Sequence, residues 1–523
     1  MTRVGDLGPY HPARHARARP DAVALRLTGW DAADPDRGRL TWSEVVDQSA
    51  RLARAFQDAG LEVGDSVAVC STNRLEMVVA AWAALRSGLY CTPISTWLGP
   101  DEAAYIARDC GAKALVASID PDGLAAGIRA RQRVALAVSI GGHVDGFVEW
   151  DSVLAGFDGH LLDREVEGSM MLYSSGATGR PKGVRRPLSG AVAGTSNPLE
   201  PFAPRVGLGP DTVYLSPAPM YHAAPLGWSL GTMRAGGAVV VLPRFDATLA
   251  LSAIESHRVT LAQFVPTMLR RLLQLPAAVR DAYDLSSLRR IVHAAAPCPP
   301  HVKRAMIDWL GPIVDEYYSG TEGSGTTYIT SEEWLAHPGS VGRPILGEIR
   351  VTDEEGNVVG SAEEGIIWFA GGGSYEYHGD DAATHARRHA QGWTTLDDIG
   401  FVDDDGYLFL TDRRAHMIVS GGVNISPREV EDVLLEHGAV DDVAVIGVPD
   451  DDLGEVVKAV VTVCAGDDRA DLADRLIAHC RSRLARHKVP RTVDIVDELP
   501  RLPTGKLAKR ELREQYRSGA RLV

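Results

Sequence analysis

The sequence predicts an α/β fold, with a large N-terminal domain of β-sheets flanked by helices and a small α+β C-terminal domain. Its 523 residues exceed what one hydrophobic core organises, so two or more domains are expected. Strand-like and helix-like segments alternate along most of the chain, which is typical of α/β proteins. The pattern changes near residue 412, where charged residues follow an apolar strand and a new helix signal then begins.

Apolar periodicity and capping signals locate the elements. Thr41 and Glu44 form a capping box that opens a helix, and Gly60 ends it. In the C-terminal domain, Ser426 is predicted to cap a helix, with Glu429 closing a second capping box. Further elements are short strands at 67–70, 114–117, 213–216, 238–242 and 406–411, a buried helix at 77–85, and a charged terminal helix after Gly505.

Bulk composition excludes several classes of protein. A net charge of -15 argues against a nucleic-acid partner, because phosphate backbones require a basic surface. The six scattered cysteines lack metal-type spacing and are predicted to be reduced thiols. The N-terminus has no signal-peptide core, and no apolar run approaches the roughly 20 residues of a membrane span. A cytoplasmic protein without a membrane span is therefore expected, and a homo-oligomer is compatible with the sequence.

Residues 173–184, Tyr-Ser-Ser-Gly-Ala-Thr-Gly-Arg-Pro-Lys-Gly-Val, combine glycines, hydroxyls and a lysine. Glycine allows the backbone to approach a ligand, the hydroxyls donate hydrogen bonds and Lys182 supplies a positive charge, so a polyphosphate cradle is predicted. Pro181 stands where a Walker loop requires glycine. The predicted cradle consists of Ser174, Ser175, Gly176, Ala177, Thr178, Gly179 and Lys182.

This stretch resembles the phosphate loop of the adenylate-forming superfamily, which comprises acyl-CoA ligases, peptide-synthetase adenylation domains and luciferases. That loop usually has threonine where this chain has Ala177. The resemblance extends over almost the whole chain and is strongest to the branch of fatty-acyl or bulky-acid CoA ligases. It implies ATP, CoA and a small-molecule carboxylic acid as substrates, Mg²⁺ as the metal, and Thr178 as a catalytic residue.

Two further motifs would complete the nucleotide site. Residues 316–322 resemble the Tyr-Gly-x-Thr-Glu signature, which implies that Tyr318 stacks on adenine, Thr321 contacts phosphate and Glu322 holds Mg²⁺. Residues 392–400 resemble Gly-Trp-x-x-Thr-Gly-Asp-x-Gly, which implies that Asp398 binds the ribose. The motif's glycine is Asp397 in this chain. Its charge is unfavourable near a polyanion unless it is screened or turned to solvent.

The resemblance also assigns roles to the end of the chain. Residues 412–416 correspond to a hinge that lets the C-terminal domain rotate, with Arg413 reaching the nucleotide and Ala415 replacing the usual pivot residue. The predicted division is therefore 1–411, a hinge at 412–416, and 417–523. Gly421 and Gly422 match the wall of the CoA tunnel. Lys506 matches the catalytic lysine, which would stabilise charge as the mixed anhydride forms.

The acyl pocket is predicted from two segments. Pro-Ala-Pro-Met-Tyr-His at 217–222 resembles the pocket-lining motif, so His222 would lie beside the carboxylate or gate the pocket; a structural core histidine is the alternative. Ala295 and Ala296 belong to a small-residue segment that would run between adenine and acyl group. Trp228 is predicted to make the pocket apolar. Gly371-Gly372-Gly373 lacks dinucleotide-binding spacing and is predicted to be a loop.

The implied reaction has two halves. A carboxylate attacks the α-phosphate of ATP to give acyl-AMP and pyrophosphate, and the CoA thiol then attacks the acyl carbon. A polycyclic or medium-to-long acid is the first choice of substrate, and an aryl acid is the second. Two alternatives stay open. One is an adenylation-impaired enzyme that mainly thioesterifies a pre-formed acyl-AMP, suggested by Ala177, Asp397 and Ala415. The other is a stand-alone adenylation enzyme that loads a carrier protein.

Overall fold

Strands and helices alternate through the described part of the chain, and the predicted α/β class is confirmed. The structure is a computed structural model that describes residues 3–29, 38–119, 123–174, 181–413, 417–420, 423–450, 453–464, 469, 471–501 and 507–517.

The strands are β1 Val23–Leu27, β2 Arg39–Thr41, β3 Ser66–Cys70, β4 Tyr90–Pro93, β5 Ala112–Ser118, β6 Leu136–Ile140, β7 Val148–Glu149, β8 Ser169–Met170, β9 Leu172–Ser174, β10 Lys182–Arg185, β11 Val213–Ser216, β12 Ala238–Val241, β13 Leu261–Phe264, β14 Arg290–His293, β15 Val314–Ser319, β16 Thr326–Ile329, β17 Ser340–Leu346, β18 Glu348–Thr352, β19 Gly365–Ala370, β20 Glu376–Tyr377, β21 Thr394–Val402, β22 Leu408–Arg413, β23 Ile418–Ser420, β24 Val423–Ile425, β25 Val440–Asp450, β26 Gly454–Val463 and β27 Thr492–Ile495.

The α-helices are α1 Pro12–Ala18, α2 Trp42–Asp58, α3 Leu75–Arg86, α4 Pro100–Asp109, α5 Leu124–Arg131, α6 Trp150–Ala155, α7 Ala203–Val206, α8 Ala223–Arg234, α9 Ala247–Ser256, α10 Pro266–Leu273, α11 Ala277–Arg280, α12 Pro300–Leu310, α13 Ser331–Ala336, α14 Asp381–Ala386, α15 Pro427–Leu435, α16 Leu472–Arg481 and α17 Lys509–Arg517.

Two sheets with parallel cores organise the large N-terminal part. In the larger sheet, β1, β12, β11, β13, β14 and β15 pair in parallel, and the sheet continues through antiparallel strands to β18. The smaller sheet is parallel throughout, in the order β7-β6-β5-β3-β4-β8. Helices such as α3, whose residues are all buried except the half-buried Glu76, cover these sheets, because parallel strands need apolar cover on both faces.

A separate sheet of β23 to β27 forms the C-terminal part, with α15, α16 and α17 packed against it. Strand β22 still belongs to the large sheet, and β23 already belongs to the C-terminal sheet. The predicted hinge therefore falls between the two sheets along the chain. Of its residues, 414–416, including Ala415, lie outside the described part.

The predicted capping box at Thr41 is confirmed. The Thr41 hydroxyl accepts a hydrogen bond from the Glu44 amide, and the Glu44 carboxylate accepts one from the Thr41 amide. The predicted box at Ser426 is wrong. Ser426 is the N-cap of α15, but its hydroxyl donates to the Thr411 carbonyl at 3.0 Å instead of capping the helix. Glu429 pairs with Lys488 at 2.6 Å. Tertiary partners, one on β22 of the large sheet and one in the C-terminal part, thus replace the local bonds.

Glu165 is the centre of a buried ion-pair group in the N-terminal part. Arg86 contacts both carboxylate oxygens, and Nε2 of His11 lies 2.8 Å from one of them. Burial alone would raise the pKa of Glu165, but the hydrogen bond from His11 and the charge of Arg86 lower it to about 2. Burial lowers the pKa of His11 below its ordinary value. This group fastens the N-terminal segment to α3.

No helix in the part of the chain that the structure describes combines the length and apolar character needed to cross a membrane.

Glu165→Gln is expected to lower the free energy of unfolding by about 3–5 kcal/mol at neutral pH, because Arg86 would stay buried without a counter-ion. The folded pKa of Glu165, about 2, lies below the ordinary value of 4.5. Its stabilisation is therefore complete above that ordinary value and is lost as the pH falls toward the folded pKa. Urea denaturation followed by tryptophan fluorescence, repeated across this pH window, measures both effects.

Asp101→Asn is the matched control, because Asp101 pairs with Arg131 at 2.6 Å on the exposed surface. The control substitution is expected to cost less than about 1 kcal/mol. Equal losses in the two variants would contradict the assignment of Glu165 as a buried stabilising charge.

Candidate nucleotide and acyl site

Three segments that carry predicted site residues directly follow parallel strands. Strands β11, β13, β14 and β15 are parallel neighbours, and the segments 217–222, 294–297 and 320–322 directly follow β11, β14 and β15. The carboxyl ends of parallel strands meet at one edge of a sheet, and α/β proteins bind ligands there. Segments spread over about a hundred residues of sequence therefore converge on one edge.

The predicted adenine and ribose residues are in direct contact. The Tyr318 hydroxyl donates to Oδ2 of Asp398 at 2.5 Å, and Asp398 is buried. A Cβ added to Gly320 would lie 2.4 Å from the Leu396 side chain, so segment 396–398 runs tightly beside 318–320. Two motifs that sequence spacing alone does not connect thus form one wall.

Lys182 and Glu322 are linked by a residue that the sequence analysis missed, Tyr377. Its hydroxyl donates to Oε1 of Glu322 at 2.8 Å, and Nζ of Lys182 lies 5.6 Å from its ring centroid. Strand pairing explains the arrangement, because Val184 of β10 pairs with Tyr377 of β20. Lys182 also pairs with Asp380 at 2.9 Å. The predicted phosphate lysine and the predicted metal carboxylate therefore both contact the same tyrosine, one at its ring and the other at its hydroxyl.

Burial and the charge of Glu322 together raise the pKa of Tyr377 well above its usual value. The same causes raise the pKa of the neighbouring Tyr375 to about 12. Both phenols are therefore protonated at neutral pH, and Tyr377 acts as a hydrogen-bond donor that orients the carboxylate of Glu322.

The sequence did carry one indirect signal for Tyr377, the glycine run that precedes it. A Cβ on Gly372 would lie 1.5 Å from the Ser324 carbonyl, and the Gly373 amide donates to the Gly323 carbonyl at 3.1 Å. Segment 371–373 is a loop, as predicted, and it packs backbone to backbone against the loop that follows Glu322. This close packing positions β20, which carries Tyr377, beside Glu322.

Asp397 is screened, which was one of the two predicted conditions. Its backbone is left-handed, with φ of 66°, and this explains why glycine suits the position. Its amide donates to the Thr395 hydroxyl at 2.9 Å, and Oδ2 lies 3.1 Å from Nη1 of Arg387. Arg387 is the second residue that the sequence analysis missed, because no motif marks it.

Beneath Tyr318 lies a buried polar group. Glu316, two residues earlier on the same face of β15, pairs with Lys303 at 2.8 Å, and His293 of β14 is its register partner. Burial alone would raise the pKa of Glu316, but the charge of Lys303 lowers it. Burial lowers the pKa of His293 to about 4, so this histidine is neutral. The Lys303–Glu316 ion pair therefore holds β15 in place two residues before Tyr318.

On the acyl side, His222 occupies the N-cap position of α8 without a capping hydrogen bond from its side chain, and its ring lies 4.4 Å from that of Tyr221. Trp228 is buried in the same helix, and its indole N–H donates to the Tyr317 hydroxyl at 3.1 Å. Ala295 is exposed and left-handed, with φ of 76°, and Ala296 is half-buried beside it. The acyl roles of these residues stay predictions.

Several predicted residues lie outside the described part, or their side chains do. Outside it are Ser175, Gly176, Ala177, Thr178, Gly179, Gly421, Gly422 and Lys506, and only the backbones of Ser174 and Arg413 are described. Their neighbours are informative. Ser174 pairs with Lys182, so the predicted cradle joins two paired strands, and Arg413 pairs with Asp398. Arg501 pairs with Leu507 across the segment that carries Lys506.

Known proteins match this chain along most of its length. The family model of AMP-binding enzymes matches residues 12–376, and that of the AMP-binding enzyme C-terminal domain matches residues 429–506. A feruloyl-CoA synthase of Amycolatopsis sp is 34% identical over 97% of this chain and 98% of its own. A CoA ligase of Mycobacterium tuberculosis is named for a propanoyl group on a methyl-dioxo-octahydroindene ring. It is 34% identical over 96% of this chain and 99% of its own.

Among solved structures, ATP-bound MatB from Rhodopseudomonas palustris is similar with a TM-score of 0.83 and 28% identity, over 98% of this chain and 100% of that one. The chain therefore belongs to the AMP-binding enzyme family, on the acyl-CoA ligase branch of the adenylate-forming superfamily.

Proposed function

We propose that this enzyme joins a hydrophobic carboxylic acid to CoA through an acyl-AMP intermediate. The observation that carries the proposal is the convergence of Lys182, Tyr377 and Glu322 with the Tyr318–Asp398 pair at the carboxyl edge of the large sheet. One group is suited to phosphates and the other to a nucleoside. Together they can hold ATP with its α-phosphate facing the acyl side.

In the first half-reaction, a carboxylate oxygen of the acid attacks the α-phosphorus and the bond to pyrophosphate breaks. Tyr318 would stack on adenine, Asp398 would accept from the ribose hydroxyls, and Thr321 and Lys182 would contact phosphates. The predicted cradle, from Ser174 to Gly179, would complete the phosphate contacts, and Arg413 would reach the nucleotide from the hinge. Lys506 would bridge the carboxylate and the α-phosphate, where negative charge develops.

Mg²⁺ fits the donors present, because a hard cation prefers a carboxylate together with substrate phosphate oxygens. Glu322 would hold it, and the hydrogen bond from Tyr377 fixes the orientation of that carboxylate. When bound, the ion neutralises phosphate charge during the transfer.

In the second half-reaction, the CoA thiol loses its proton to solvent, attacks the acyl carbon, and AMP leaves. We propose that rotation about 412–416 removes Lys506 and presents the tunnel lined by Gly421 and Gly422, so that domains 1–411 and 417–523 alternate between two arrangements. The acid would lie against His222, Trp228, Ala295 and Ala296. The relatives named for feruloyl and octahydroindene-propanoyl groups support a ring-bearing acid.

An adenylation-impaired enzyme is the second candidate. It rests on Ala177, Asp397 and Ala415, and the ion pair of Asp397 with Arg387 weakens that case, because the extra charge is screened. The full ligase is therefore the better supported function.

A paired assay tests the proposal. Pyrophosphate release from ATP with a polycyclic propanoate, a long-chain fatty acid or ferulate is measured beside CoA-thioester formation from the synthetic acyl-AMP. The parent enzyme is expected to do both. Lys506→Ala is expected to reduce pyrophosphate release by about 100-fold or more, because it removes charge stabilisation of the transition state, and to change thioester formation only a few-fold.

Lys113→Ala is the control for that experiment, since Lys113 is exposed and pairs with Asp65 at 2.8 Å in the smaller sheet. It is expected to leave both half-reactions unchanged. Thioester formation without pyrophosphate release in the parent would instead identify the adenylation-impaired enzyme.

Tyr377→Phe tests the link between Lys182 and Glu322. Losing one hydrogen bond to a charged group costs about 1.5–3 kcal/mol, so the KM for ATP is expected to rise roughly ten- to a hundredfold. Steady-state pyrophosphate release measures it. Tyr328→Phe is the control, because it also removes a tyrosine hydroxyl that donates to a carboxylate. That carboxylate is Asp315, at 2.7 Å, and not Glu322. That control is expected to lower stability and to leave the KM for ATP unchanged; equal KM values in parent and Tyr377→Phe would exclude the proposed role.

A further inference from the structure

Asp397 introduces a carboxylate into the segment that forms the wall of the nucleotide site. It lies between Asp398, which contacts Tyr318 at 2.5 Å, and Leu396, which packs on Gly320. The backbone of Asp397 is left-handed, a conformation that costs a residue with a Cβ more than it costs glycine. The chain therefore keeps a strained, charged residue one position from the predicted ribose ligand.

Arg387 supplies the opposite charge from a different element. It is the C-cap of α14, and its Nη1 lies 3.1 Å from Oδ2 of Asp397. That nitrogen is buried and has no hydrogen-bond acceptor among the residues that the structure describes, so charge attraction is what joins the two groups. Each side chain keeps about a quarter of its surface exposed, at 27%, so solvent screens the pair only in part.

The guanidinium also acts on the phosphate side of the site. Its charge lowers the pKa of Tyr375 and Tyr377, whose values burial and Glu322 raise. Arg387 thus lies within electrostatic range of the Tyr377–Glu322 pair as well as of Asp397.

We propose that Arg387 is a positioning residue that neutralises Asp397 and thereby allows the site to accept a polyanionic nucleotide. The inference rests on the proposed function, since it assumes that ATP binds beside Asp398. Without Arg387, the carboxylate of Asp397 would repel every bound phosphate. With Arg387 present, the two opposite charges cancel, so aspartate at the motif's glycine position adds no net charge to the site.

The penalty for losing Arg387 should grow with the charge of the ligand. Isothermal titration of adenosine, AMP and ATP, in the same buffer, separates charge from shape. In Arg387→Ala, the affinity for adenosine is expected to change less than about twofold, that for AMP a few-fold, and that for ATP about tenfold or more. The ATP effect should shrink between about 0.05 and 0.5 M salt. A merely structural role would weaken all three ligands alike.

A double-mutant cycle tests whether Asp397 is the charge that Arg387 neutralises. Asp397→Gly alone is expected to leave ATP affinity unchanged or a few-fold higher. In that background, Arg387→Ala should cost less than about threefold, because the charge it neutralises is absent. Equal losses in both backgrounds would overturn the inference.

Arg387→Lys keeps the charge and is expected to retain ATP affinity within about threefold, which keeps the test informative if Arg387→Ala is poorly folded. Arg131→Ala, at an exposed ion pair, is the matched control and should not change affinity for any of the three ligands. A parent enzyme that does not bind ATP would refute the proposed function itself. A parent that binds ATP, with additive substitutions, would refute only the role of Arg387.

Discussion

The parallel pairing of β14 with β15 is the constraint on which the rest of the site depends. It sets His293 opposite Glu316, so Tyr318, two residues further along β15, emerges at the carboxyl edge of the sheet. Because β11 is held in the same parallel block, the segment ending at His222 opens on that edge as well. The buried Lys303–Glu316 pair makes this register costly to change, since a shifted strand would bury either charge without its partner.

A second connection brings the phosphate side to this edge. The pairing of β10 with β20 places Tyr377 between Lys182 and Glu322, and the close packing of Gly372 on the loop of Ser324 fixes where β20 lies. Tyr318 and Asp398 therefore belong to the large sheet, whereas Lys182 and Tyr377 belong to the separate sheet of β9, β10 and β20. Their relative position depends on loop packing, for which glycine is the only residue small enough.

Sequence reasoning found what local chemistry can encode. The fold class and the capping box at Thr41 follow from local spacing and are confirmed, whereas the roles of Tyr318, Glu322 and Asp398 follow from resemblance and stay predictions. It failed where a partner comes from a distant element. Ser426 bonds the Thr411 carbonyl instead of closing its predicted box, and Tyr377 carries no signal of its own beyond the glycines before it. Long-range pairing decides such partners, and no periodicity in a single chain reveals it.

Asp397 illustrates how a departure from a motif should be interpreted. Taken alone, a carboxylate at a glycine position beside a polyanion indicates a damaged site. Aspartate, however, tolerates the left-handed region better than most residues, and its amide here is satisfied by the Thr395 hydroxyl. The remaining cost is electrostatic, and Arg387 offsets it from the end of α14. That cation lies ten residues upstream, at the end of α14, and the Thr395 amide donates to its carbonyl at 3.2 Å. The substitution and its compensation are therefore recognised only when the folded segments are compared in space. A missing motif residue is therefore evidence of lost function only after its spatial neighbours have been considered.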